Sequence, residues 1–227
     1  IEDACHAPEG YFIDSKENQN FCGNGVYADI GVFSFHPVKH IACGEGGMLT
    51  TNSKELYEKL MLLRTHGITK ENMEENHGNW YYEMITLGYN YRLTDFQSAL
   101  GITQLAKNEK GVARRNEISE TYKKEFLGKV KFQDLPAGTY NAHHLFIIEV
   151  ENRKELYDFL HSNGILVQIH YIPVHYLSYY KNIGYSEADL SNAEVYYSKC
   201  ISLPMYPTLS NEEQNFVINT INNFYNK

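Results

Sequence analysis

The sequence predicts an α/β chain in two parts. Short apolar runs of strand length alternate with longer segments of helical periodicity, most plainly after Val130. Paired capping signals, a Ser, Thr or Asn followed three residues later by Glu or Gln, stand before several of the helical segments. Between them, residues 31–52 pack a lysine, two histidines, a serine and glycines between two apolar runs, the pattern of a functional loop held by strands.

Taken in order, Pro8 to Asn24 is polar and reads as a surface excursion. Asp29 to Phe35 reads as a short buried strand through Ile30, Val32, Phe33 and Phe35, and Gly47 to Thr51 reads as a second. Ser53 starts a helix to about Thr65, with Glu55 in its first turn and Leu56, Leu60 and Leu63 as its apolar face. Thr69 to Trp80 loses periodicity and is expected to be a loop. Thr94 and Gln97 form a capping box ahead of a helix bearing Phe96, Ala99, Leu100 and Thr103.

Lys110 to Phe126 reads as a long, charged, amphipathic helix linking two domains, expected at 1–110 and 111–227. The second part reads as His143 to Val150 strand, Arg153 to Ser162 helix and Ile165 to His170 strand. Asn152 with Glu155, Ser191 with Glu194 and Ser210 with Glu213 are its expected capping pairs, and Gly164 stands at a C-terminal cap.

Composition narrows the function classes. A formal net charge of -8 argues against nucleic acid or an anionic membrane as the principal partner, so an anionic substrate must be met by local positive charge. No apolar run approaches the length of a membrane span. Cys5, Cys22, Cys43 and Cys200 show no paired spacing, which favours free thiols and a reducing, cytoplasmic compartment.

Several residue groups carry chemical meaning. Two strands flanking one connection can aim Ser34, His36 and Lys39 into a shared pocket, while Gly44, Gly46 and Gly47 permit positive φ and close backbone approach. A tight turn needs the same glycines, and a lone lysine is usually a solvated charge. Asp3 ends a predicted strand, where an aspartate commonly opens a turn. Arg92 is a bidentate anion binder near a helix start. Histidines 143, 144, 170 and 175 suggest a metal site, but no carboxylate or cysteine completes a set at ligand spacing, and no metal is expected.

The run Ser34-Phe35-His36-Pro37-Val38-Lys39 with Gly44-Glu45-Gly46-Gly47, and the run Gly88 to Gly101, resemble the signatures of the DegT/DnrJ/EryC1/StrS sugar-nucleotide aminotransferases. That resemblance extends along nearly the whole chain. It implies a fold-type I pyridoxal-phosphate transferase: the C-terminal part of the large α/β/α cofactor domain followed by a small α/β domain. It makes Lys39 the cofactor-bearing amine and proton carrier and Asp3 the carboxylate beside the ring nitrogen. His6 falls at the position facing the ring's phenolic oxygen, Ser34 at the hydroxyl offered to the phosphate, and Asn90 at the phosphate contact to a neighbouring subunit. Arg92 lies on that same loop, and His144, His170 and Tyr171 fall around the sugar nucleotide, with Tyr206 bordering it or packing.

The implied partners are a nucleotide sugar, L-glutamate and a second copy in a homodimer that shares its active sites. The implied reaction moves an amino group from glutamate to a UDP-4-keto-6-deoxy-N-acetylhexosamine, in pseudaminic-acid or related surface-glycan biosynthesis. The family's dehydratase branch has histidine where this chain has Lys39 and is disfavoured. Residue 1 is Ile, so a preceding portion carrying more of the cofactor domain is expected; a non-catalytic fragment is the remaining alternative.

Overall fold

The computed structural model describes residues 1–71, 78–185 and 189–226. The chain divides into two compact units, Ile1–Glu109 and Lys110–Lys227.

The first unit is built on a three-stranded sheet. Strand β1 (Glu2–Asp3) and the hairpin β2 (Tyr11–Ile13) and β3 (Gln19–Phe21) come first, followed by β4 (Gly31–Ser34) and β5 (Gly47–Thr50). β4 is central, parallel to β1 with Asp3 opposite Val32, and antiparallel to β5 with Ser34 opposite Gly47. Paired residues share a face and successive residues alternate, so Asp3, Val32 and Ser34 lie on one face and Phe33 on the other.

Helix α1 (Lys54–Arg64) follows, capped by Ser53, whose hydroxyl accepts from the Leu56 N–H. The short antiparallel pair β6 (Ile68–Thr69) and β7 (Glu83–Met84) comes next. Part of the expected loop at residues 69–80 lies outside the described residues, and its first residue, Thr69, belongs to β6.

Helix α2 (Asp95–Phe126) is one continuous helix of 32 residues, where the sequence suggested two segments. The Thr94–Gln97 box starts it: the Gln97 N–H donates to the Thr94 hydroxyl at 3.3 Å and the Thr94 N–H donates to Gln97 Oε1 at 3.0 Å. A helical glycine costs only ~1 kcal/mol, so Gly101 and Gly111 do not interrupt it.

The second unit holds β8 (Lys131–Phe132), β9 (Thr139–Tyr140), β10 (Phe146–Glu149), α3 (Arg153–Ser162), the single turn α4 (Ser178–Tyr180), α5 (Ser191–Lys199), β11 (Cys200–Leu203) and α6 (Asn211–Tyr225). β10 lies between β11 and β8, antiparallel to both. Its Phe146 and Ile148 meet Ile118, Tyr122 and Phe126 of α2, Leu156 and Leu160 of α3, and Val217, Ile218 and Ile221 of α6 in one buried cluster. Each such side chain contributes roughly 1.5–3 kcal/mol by leaving water.

Four expectations for this unit are corrected. The first strand begins at Phe146 because His143 has a positive φ of 49° and gives its N–H to Asn141 Oδ1 at 2.8 Å, a turn rather than a ladder. Ile165 to His170 forms no strand: it meets β11 through a single bridge, Gln168 to Ser202. Asn152 caps α3 by position but makes no side-chain bond to it. Ser191 is the first helical residue of α5, whose cap position is Leu190, so the Ser191–Glu194 box does not form. The Ser210–Glu213 box does, reciprocally, and Gly164 closes α3 at φ 77°.

Candidate active site

The connection between β4 and β5 is a closed loop. The Phe35 N–H donates to the Gly46 carbonyl at 2.9 Å and the Cys43 N–H to the Phe35 carbonyl at 3.0 Å, while the Lys39 N–H closes a turn onto the His36 carbonyl at 2.9 Å. Lys39 is half-buried within it. Two glycines are required by space: a Cβ on Gly47 would lie 2.6 Å from the Phe33 carbonyl oxygen, and one on Gly46, at φ 144°, 2.5 Å from Leu93 Cδ2. Ser34 Oγ accepts the His36 N–H at 3.4 Å, and His36 Nε2 stands 3.9 Å from Glu45 Oε1.

Asp3 enters from the neighbouring strand. Its Oδ1 accepts the Cys5 N–H at 3.0 Å. The Cys5 thiol first and its N–H second, with His6 and Lys39 adding attraction, hold the Asp3 carboxyl below its ordinary value against a contribution from burial that raises it. The Asp3 carboxylate is therefore attracted by both His6 and Lys39, and Ser34 shares the Asp3 face of the sheet.

Asn90 and Arg92 lie on the segment before α2, both exposed. Backbone bonds fix that segment: Tyr89 N–H to the Leu63 carbonyl at 2.6 Å, His66 N–H to the Tyr89 carbonyl at 2.8 Å and Tyr91 N–H to the Arg64 carbonyl at 3.0 Å. The start of α2 is tied directly to the lysine loop, because Gln97 Nε2 donates to the Glu45 carbonyl at 2.8 Å. The two signature runs are thus one packed body.

His144, His170 and Tyr171 belong to the second unit. Arg115 is 5% exposed, and its Nη1 donates to the carbonyls of His143 and His144 at 3.1 Å each and to that of Met205 at 2.9 Å. Burial lowers its pKa to about 10. The same effect takes His143 down to about 4, so the first of the paired histidines is neutral. His170 Nδ1 bonds Ser202 Oγ at 2.7 Å, and its ring meets that of Tyr171 edge-on at 4.5 Å. Sequence reasoning did not single out Cys5, Gln97 as a loop tether, or Arg115. The proximity of Cys5 to Asp3 in the sequence was the one signal available; Arg115 reads as one more charge on a charged helix.

With this geometry in place, comparison with known proteins is decisive. Residues 1–222 match the DegT/DnrJ/EryC1/StrS aminotransferase family. The chain belongs to that family. A Campylobacter jejuni UDP-4-amino-4,6-dideoxy-N-acetyl-beta-L-altrosamine transaminase is 37% identical over 228 residues, covering 97% of this chain and 57% of the relative. The Helicobacter pylori protein of the same name is 35% identical, over 99% of this chain and 58% of its own length. A family aminotransferase from Brucella abortus superposes with a TM-score of 0.85 at 32% identity, over all of this chain and 57% of that one. The chain therefore has the fold-type I architecture and spans a little over half the length of these relatives. Family members are sugar aminotransferases, and a relative from Streptococcus pneumoniae has been solved in pyridoxal-phosphate and pyridoxamine-phosphate forms.

Proposed function

We propose that the protein to which this chain belongs is a pyridoxal 5'-phosphate-dependent, cytoplasmic aminotransferase. It moves an amino group from L-glutamate to a UDP-4-keto-6-deoxy-N-acetylhexosamine in pseudaminic-acid or related surface-glycan biosynthesis, and works as a homodimer. The observation that carries this reading is the shared electrostatic neighbourhood of Asp3, His6 and Lys39 beside a strand bearing Ser34. Those groups fit the cofactor: an ionised carboxylate suits a protonated ring nitrogen, a loop amine suits the aldehyde, and a hydroxyl suits the phosphate. Bound there, the cofactor supplies an electron sink for the substrate carbanion.

The chain's own residues do the rest. Asp3, whose carboxyl is held below its ordinary pKa chiefly by Cys5, would keep a proton on the cofactor's ring nitrogen. Lys39 takes and returns the proton at the reacting carbon through Nζ. His6 would face the cofactor's phenolic oxygen and Ser34 its phosphate, Asn90 would reach the phosphate held by the neighbouring subunit, and Arg92, His144, His170 and Tyr171 would face the nucleotide sugar. The lysine loop is held rigid by Gln97, so the amine works from a fixed base.

The test uses the full-length protein mixed with pyridoxal phosphate. A lysine-bound absorbance band that shifts on adding L-glutamate is expected, and Lys39→Ala abolishes it. A band that persists in Lys39→Ala overturns the assignment. Mass spectrometry of products from a panel of ketosugar nucleotides then identifies the acceptor.

A further inference from the structure

The sequence marks Glu194 as a capping residue, yet it caps nothing. Helix α5 begins with its cap position at Leu190 and no side-chain cap bond. The carboxylate instead reaches across the second unit: Glu194 Oε1 bonds His175 Nε2 at 2.8 Å. Burial first, then the Glu194 carboxylate, raises the pKa of the neighbouring Tyr176 hydroxyl. Tyr197, one helical turn further along α5, meets the Tyr176 ring edge-on at 6.2 Å. Residues three apart on a helix share a face, so Glu194 and Tyr197 form one surface that grips two consecutive residues of the segment.

The grip is built into the fold. His175 is 5% exposed and its Nδ1 is buried without a partner, so the bond through Nε2 is the polar contact its ring has to lose. The Lys181 ammonium stands 5.5 Å over the Tyr176 ring, and the Arg153 guanidinium 4.9 Å over that of Tyr197. Four residues upstream of Tyr176 and five upstream of His175 stand Ile172 and His170, the latter bonded to Ser202. The stretch carrying His170 and Tyr171 is therefore pinned at both ends, by β11 on one side and by α5 on the other.

We propose that Glu194 is a positioning residue for the nucleotide sugar: it clasps His175 while Tyr197 packs on Tyr176, and it thereby holds His170 and Tyr171 where the acceptor binds. This rests on the aminotransferase reading above and assigns the clasp to one half of the reaction. A residue that only stabilised the fold would weaken both halves alike. One that positions the sugar-facing segment weakens the ketosugar half and spares the glutamate half.

The experiment compares wild type, Glu194→Ala and Glu194→Gln in the full-length, cofactor-loaded protein, with each half-reaction followed separately by absorbance. Glu194→Ala is expected to raise KM for the ketosugar nucleotide about tenfold, the scale of one hydrogen bond to a charged group, with kcat and the glutamate half-reaction within about twofold. Glu194→Gln keeps an acceptor oxygen and recovers most of the loss. Equal loss in both halves, or none in the ketosugar half, overturns the proposal. Hydrogen exchange gives an independent readout: the amides of Tyr171, Ile172 and residues 174–176 exchange faster in Glu194→Ala, and unchanged exchange also overturns it. A wild-type protein inert toward glutamate sinks the aminotransferase reading itself, an outcome distinct from failure of the clasp.

Discussion

The two units of this chain are nearly equal in length and unlike in how they are held together. All 17 side chains of the buried hydrophobic cluster lie in the second unit. Among the described residues of the first, the buried hydrophobic side chains are Ala4, Ile41 and Cys43. There, Trp80, Leu87 and Phe96 are 82%, 83% and 90% exposed, and an apolar cavity of about 350 Å³ lies among Phe33, Phe35, Met48, Ile102 and Leu105. The residues proposed to carry the chemistry, Asp3 and Lys39, belong to the thinly buried unit, where hydrogen bonds rather than packing fix the loop. The proposed cofactor chemistry and the buried apolar cluster thus belong to different units.

The sharpest way to break that contrast is to separate the halves. Residues 110–227 alone are expected to melt in one cooperative transition with native-like near-ultraviolet dichroism. Residues 1–109 alone are expected to show no such transition, because so few apolar side chains leave water there. A cooperative melt from the first piece would overturn the comparison. In the intact chain, Leu156→Ala should cost about 2–5 kcal/mol by chemical denaturation, against ~0.5 kcal/mol or less for Met48→Ala, since Leu156 is 0% and Met48 52% exposed.

Arg115 sharpens the comparison from within the well-packed half. It lies inside the unit's interior and, from its position on α2, bonds three carbonyls. Arg115→Leu keeps apolar volume and strands those oxygens, so a loss of about 3 kcal/mol is expected. His144 loses its backbone anchor in the same variant, and ketosugar binding should weaken with it.

A pH dependence confined to the second unit follows from His143. Burial first, then repulsion from Lys123 and Arg115, lowers its pKa from an ordinary 6.5 to about 4, while Glu120 opposes the shift. Above pH 6.5 the ring is neutral in both folded and unfolded chains and contributes no slope. As pH falls from 6.5 toward 4 the unfolded chain takes up a proton that the folded one refuses, so stability drops, by about 2 kcal/mol after allowing for screening. His143→Asn should flatten that part of the pH–stability curve.

The contrast also bears on what the sequence could tell. Helices α1 and α3 were legible nearly to the residue, because apolar periodicity and a capping position mark a helix locally. The lysine loop was legible as chemistry, through residue types at short spacing. Ile165 to His170 misled for a physical reason: Ile165 and Val167 are buried and Leu166 is exposed, a true period of two, but alternation reports burial and not whether a ladder closes. The long-range contacts proposed to position the site left no trace in the sequence. Gln97 to the Glu45 carbonyl, Arg115 to three carbonyls and Glu194 to His175 join residues far apart in sequence, and such bonds leave no local pattern.

Capping makes the smallest and most controlled test of that lesson. The same sequence signal stands at Asn152, Ser191 and Ser210, and the structure uses it only at the last. Ser210 Oγ accepts the Glu213 N–H at 3.1 Å while Glu213 Oε2 accepts the Ser210 N–H at 2.8 Å, so both orphan donors at the start of α6 are satisfied. Ser210→Ala is therefore expected to cost about 1 kcal/mol, and Asn152→Ala and Ser191→Ala only a few tenths, all measured in the same unit by the same denaturation experiment. Equal costs at the three positions would mean that the signal, and not the bond it forms, sets the stability of a helix start.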